Sequence, residues 1–176
     1  MGWLKLGISW LSCEGLNNVF INDMPRKKTY ASALRHLTEY AESEGFMVDL
    51  TATKTSSIYW HKVNVPRRIL IEWSYTEEYK VYLFLHELGH HELRKDWNLF
   101  EQRFPIIAIA ENFLSDEYHP KYKRRKAYKV ECLREEYEAW VEGLSLAKEF
   151  NIQIDQINFD ALRYQCLGNY LGYYAQ

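Results

Sequence analysis

The sequence predicts an α+β fold: a short β-sheet packed against one buried helix, with further helices towards the C-terminus. Three observations carry this expectation. Apolar residues recur at helical spacing in several long stretches, three short β-rich runs lie between the first two of them, and the segment around residues 81–85 is apolar on every side. The 176 residues suit one domain, with 47% hydrophobic and 26% charged residues supplying an ordinary globular composition. The expected layout is a single domain over 1–176, with an irregular arm at 1–25, a core at 26–150 and a C-terminal helix at 151–176.

Taken in order, residues 1–24 mix Gly, Asn and apolar residues without a period. From Arg26 to Ser43 the set Tyr30, Ala33, Leu34, Leu37, Tyr40 and Ala41 keeps helical spacing, and Gly45 supplies a stop. Strands are expected at Phe46–Thr51, Ser57–His61 and Arg68–Trp73, with Pro66 held to an edge or loop. Ser74 to Lys95 reads as the best-defined helix, with Ser74 and Glu77 as an S-x-x-E capping box and Glu77–Glu78 at the positive end. Its middle, Val81-Tyr-Leu-Phe-Leu85, must be buried all round. Shorter helical spacing at Pro105–Ser115 begins with Pro near N1, and longer helices are expected over 124–150 and 159–174.

Inside the buried helix stands His86-Glu87-Leu88-Gly89-His90, an H-E-x-x-H motif. Residues four apart on a helix are separated by about 40° around the axis and about 6 Å along it, so both imidazoles can close on a single ion. Zinc accepts imidazole nitrogens at about 2.0–2.1 Å. Glu87 is turned about 100° away, beside the ion instead of on it, where it can take a proton from metal-bound water. Gly89 leaves room for a neighbouring chain. The competing reading, two satisfied core histidines, would bury polar groups on an apolar helix at a cost.

A catalytic zinc needs a third protein ligand and an open position. The H-E-x-x-H-x-x-G-x-x-H extension fails, with Leu93 at the glycine position and Asp96 at the last histidine. Adjacent His91 lies on a different side of the helix, suited to a solvated or supporting role. A later helix must supply the ligand. With Cys132 at zero, Glu136 falls at about 40°, within the apolar arc of Leu133, Trp140, Gly143 and Ala147, whereas Glu131, Glu135, Glu138, Glu142 and Glu149 cluster at about 240–300° and read as a solvated face. Glu136 is therefore the expected third ligand; a buried ion pair with Arg163 is the rival reading for it, and Glu111 the runner-up ligand.

His86-Glu-Leu-Gly-His90 followed by Glu136-Tyr-Glu-Ala139 resembles the ImmA/IrrE-type metallopeptidases, gluzincin-like proteins whose second motif is commonly E-x-[E/Q]-A-[N/D]. Trp140 stands where that pattern has Asn or Asp. The resemblance covers roughly residues 26–150 and implies a small zincin-like fold whose third metal ligand is Glu136.

The expectation is thus a zinc peptidase acting on a protein or peptide, a regulatory protein among the candidates, with His86, His90 and Glu136 holding Zn2+ and Glu87 activating water. Tyr137 and His119 are candidate donors to the oxyanion, and the segment Ser57–His61 a candidate edge for an extended substrate. The alternatives are a metal-binding regulatory or interaction module without peptidase activity, and a hydrolase acting on something other than peptides. A net charge of −2 argues against a nucleic-acid binder. The basic run Lys121–Lys126 reads as a solvated loop or helix start; its alternative is an acidic partner or nucleic-acid backbone, with Tyr122 and Tyr128 available to stack. Cys13, Cys132 and Cys166 form no C-x-x-C pair or disulfide framework. With no signal-peptide pattern and no apolar run of spanning length, a cytoplasmic protein is expected. A thiol nucleophile at Cys166 has no histidine partner in the sequence.

Overall fold

The computed structural model describes residues 29–52, 56–59, 67–112 and 124–174. Within them the chain is α+β: six helices and one three-stranded mixed sheet. The expected arm at 1–25, the residues 60–61 of the second strand, and His119 and Tyr122 lie outside the described residues.

Helix α1 (Tyr30–Ser43) begins on Thr29, whose hydroxyl accepts from the Ser32 amide at 3.3 Å. It ends as the spacing predicts. Gly45 takes φ +84°, its amide bonds the Glu42 carbonyl, and the Phe46 amide bonds that of Ala41, closing a Schellman cap. Strand β1 (Met47–Ala52) follows at once, then β2 (Ser57–Tyr59) and β3 (Arg68–Glu72). The order is β1-β3-β2, with β1 parallel and β2 antiparallel to the central β3. Ile69 and Ile71 of β3 face the core with no exposure, while Arg68 between strands and solvent is exposed, which is the period-two signature of a sheet covered on one face.

Helix α2 (Glu77–Lys95) packs beneath this sheet, and every residue from Val81 to His91 is buried. Its start differs from the expected capping box. Thr76 is the N-cap, accepting from the Tyr79 amide, while Ser74 turns its hydroxyl onto Glu72 at 2.6 Å. Residues 73–75 form a turn between β3 and α2, and the helix begins after it. Asp96 ends α2 in an extended conformation and caps α3 (Trp97–Arg103) through Leu99, a helix that apolar periodicity over seven residues was too short to reveal.

Helix α4 (Pro105–Asn112) borrows its cap from a distance, the Ile107 amide donating to Glu131 at 2.7 Å. The long α5 (Lys126–Glu149) closes with Asn151 at φ +53° and the Ile152 amide on the Ala147 carbonyl. Asp155 then caps α6 (Gln156–Tyr174) through the amides of Ile157 and Asn158, three residues earlier than the apolar pattern indicates.

The main core joins α1, β3, α2 and the C-terminal half of α5, with Leu37, Ile71, Phe84, Leu88 and Trp140 at its centre. A smaller cluster of Leu93, Phe100, Phe104, Ile107 and Ala139 fixes α3 and α4 to the other end of α2 and α5. Among the described residues no helix is long and apolar enough to cross a membrane.

Candidate metal centre

The site begins with the crossing of α2 and α5. A Cβ added at Gly89 would lie 2.0 Å from the Ala139 carbonyl oxygen, and one added at Gly143 would lie 2.5 Å from that of Leu85. The two backbones therefore touch, and only glycine fits at either point. Gly89 leaves the room that the sequence reading assigns to it, and Gly143 supplies the matching gap on α5.

This contact brings Glu136 against the two histidines. Its Oε2 lies 3.3 Å from His86 Nε2 and 3.4 Å from His90 Nε2. One ligand atom from each residue falls within 4.8 Å of the others. Tetrahedral zinc with bonds of about 2.05 Å separates its ligands by about 3.3 Å, so both distances match an edge of that coordination shell. Glu136 Oε2 is also buried without a hydrogen bond from the protein. An unsatisfied anionic oxygen between two imidazole nitrogens is the donor arrangement of a divalent-metal site. Arg163, the rival partner for Glu136, bonds Asp160 instead at 2.8 Å.

The imidazoles are held differently. His90 Nδ1 donates to Glu135 at 3.0 Å, and Glu135 also accepts from Arg94. Burial would raise the Glu135 carboxyl, but His90 and Arg94 hold it below the usual carboxylate range. The carboxylate fixes the His90 ring and leaves Nε2 to face Glu136. This corrects the reading of Glu135 as part of a solvated face: it is 6% exposed, because Arg94 follows His90 by one turn and draws the acid inward. His86 instead stacks on Trp140, ring centroids 4.3 Å apart at 20°, and its Nδ1 has no hydrogen-bond partner. Trp140 thus replaces a polar anchor with an aromatic one.

Charge follows these contacts. Burial would pull His90 down, but Glu136 and Glu135 push it up to about 10. Burial keeps His86 below its usual value despite Glu136. Only His90 has a second carboxylate bonded to its other nitrogen, which explains why rings sharing Glu136 move in opposite directions. Burial would also raise Glu136, yet the two histidines hold its carboxyl far below the ordinary range. Glu87, 5% exposed, is pushed up to about 8 chiefly by burial, against the pull of His90 and a hydrogen bond from the Ile58 amide. A cation at the ligands would draw it down again.

Other expectations resolve locally. His91 is 5% exposed and bonds Glu44 at 3.0 Å, so it is not solvated and points away from the ligands. Glu111 is exposed and pairs with Arg94, and it contributes nothing to the cluster. Tyr137 is exposed, with the Arg163 guanidinium over its ring. Glu138 pairs with Arg103 and Arg134 on the outer side of α5. A cavity of about 440 Å3 opens beside His86 and Glu87, and α6 contributes Cys166 to its wall. Burial pushes the Cys166 thiol up to about 11, against nucleophilic use.

The sequence reading missed Glu135, Arg94 and Trp140 as supports. The signal was present for the first two: Arg94 continues the series 86, 90, 94 on one face of α2 and requires an acidic partner. Comparison with known proteins adds nothing to the geometry, since no protein-family model, no curated protein and no solved structure matches the chain.

Proposed function

We propose that the chain is a zinc-dependent peptidase of the ImmA/IrrE type with a zincin-like fold, in which His86, His90 and Glu136 bind the ion and Glu87 moves the proton. The observation that supports this reading is the buried, unsatisfied Oε2 of Glu136 set between the two Nε2 atoms. Glu87 stands on the same helix and lines the adjoining cavity.

A zinc ion at these residues supplies charge that polarises a peptide carbonyl and acidifies the adjacent water. Glu87 would take a proton from that water as its oxygen bonds the peptide carbonyl carbon, and would return the proton to the departing amine as the C–N bond breaks, leaving a carboxylic acid and an amine. Strand β2 passes close to Glu87, whose carboxyl accepts from the Ile58 amide, and it is an edge strand paired only with β3 among the described residues. An extended substrate can add along such an edge. Arg94 and Glu135 keep the His90 ring in place during the reaction.

The test is zinc-loaded protein against a mixed peptide library, with Glu87→Gln beside the wild type. The expected outcome is one zinc per chain in both and cleavage only in the wild type. Cleavage persisting in Glu87→Gln would overturn the mechanism, and zinc binding without any cleavage would favour a metal-bearing interaction module.

A further inference from the structure

The cavity beside Glu87 has a composition that the metal chemistry does not require. Glu72, the last residue of β3, lines its wall together with Tyr75, Leu83 and Tyr170. At about 440 Å3 it falls within the roughly 300–1,000 Å3 of small-ligand sites, enough for a whole side chain. Several other acids are matched by cations: Glu44 and Glu92 by Lys95, Glu111 and Glu135 by Arg94, Glu138 by Arg103. Glu72 accepts from the Ser74 hydroxyl, and no cation pairs with it among the described residues.

We propose that this cavity is the subsite for a lysine or arginine side chain flanking the scissile bond, with Glu72 as its charge partner; the assignment rests on the peptidase reading above. The aliphatic stem of such a side chain covers Leu83 and the tyrosine rings while the cation reaches the carboxylate. Glu72 and Glu87 together repel an acidic side chain. A neutral one would strip water from Glu72 without replacing it, and that cost is what discriminates. The Tyr75 hydroxyl reports the same field: burial, then the Glu72 carboxylate, push it up. His86, more than nine-tenths buried, lines the cavity too, and its Nδ1 lacks a partner in the protein.

Two measurements on the zinc-loaded full chain test this. The first is calorimetric binding of N-acetyl-arginine amide against its neutral isostere N-acetyl-citrulline amide, to Glu87→Gln protein. Arginine is expected to bind about tenfold more tightly, with the preference lost in Glu72→Gln and reversed towards N-acetyl-glutamate amide in Glu72→Lys. The second is cleavage-site profiling of the peptide library, where Lys and Arg should be enriched at one position beside the cut in wild type and not in Glu72→Gln. Equal binding of arginine and citrulline, or no binding of either, overturns the subsite. A Glu72-dependent arginine preference without cleavage of any peptide supports the cationic site and overturns the peptidase reading.

Discussion

His90 and His91 are buried neighbours in the chain and belong to two clusters of opposite character. His91 bonds Glu44, whose carboxylate also meets Lys95; Lys95 in turn bonds Glu92 and Tyr40. None of these side chains has a buried polar atom left without a hydrogen bond. His90 belongs with His86, Glu135 and Glu136, where Glu136 Oε2 and His86 Nδ1 are both left over. Histidines and carboxylates alone therefore do not mark a site. The difference is a remainder: one cluster closes its donors and acceptors, and the other leaves an anionic oxygen facing two imidazoles, the remainder on which the zinc proposal rests.

Substitutions can break this contrast from either side. Glu136→Ala should give the largest effect, lowering bound zinc from one per chain to none by elemental analysis, whereas His91→Gln and Glu111→Ala keep it. Saturating zinc, near 1,000 times its dissociation constant, should stabilise wild type by about 4 kcal/mol in thermal unfolding and Glu136→Ala by nothing. Gly143→Ala comes next, because its new Cβ meets the Leu85 carbonyl oxygen at 2.5 Å. Forcing the helices apart should cost about 1–3 kcal/mol in urea unfolding and weaken zinc binding as well. Gly168→Ala, where a Cβ meets nothing, should instead stabilise α6 by up to about 1 kcal/mol. Glu135→Gln should keep the fold and weaken zinc about 10–100-fold in a competition titration.

The smallest effect belongs to the satisfied cluster. The hydrogen bond from His91, opposed by burial and helped by Lys95, holds the Glu44 carboxyl below its ordinary value. A depressed acid stabilises the fold fully above its unfolded pKa, about 4.3, and that contribution is lost as pH falls through the lower folded value. Urea unfolding from pH 6 to pH 3 should show a shallower acid loss in Glu44→Gln. The difference should be about 1 kcal/mol or less, because Glu44 is partly open to water.

Much of this was legible in the chain. The buried helix and Glu136 as the acid turned into the core follow from the apolar pattern, and the β-branched run at Arg68–Trp73 marks a strand without showing its central place or which face turns inward. What periodicity could not show were features set by tertiary partners. Glu135 lies well away from Glu136 on the helical wheel and is nonetheless buried, because Arg94 reaches it from α2. Glu131 caps α4 from a distant helix, and no local pattern announces that. Helix α3 is short, so its apolar repeat never accumulates, although Asp96 was available as a capping signal. The cap of α2 moved from Ser74 to Thr76 because the strand before it, not the helix, determines where the chain is free to turn.

The glycine contact between α2 and α5 also sets the order of events in assembling the centre. Backbone against backbone, at Gly89 and Gly143, fixes how far Glu136 stands from the histidines before any ion arrives. On the zinc reading proposed above, loading would be a capture step separate from folding: a chelator should strip the ion and leave the helices in register, and re-addition should restore it at a rate proportional to metal concentration. On that reading the backbone contact, and not the ion, holds the geometry of the site.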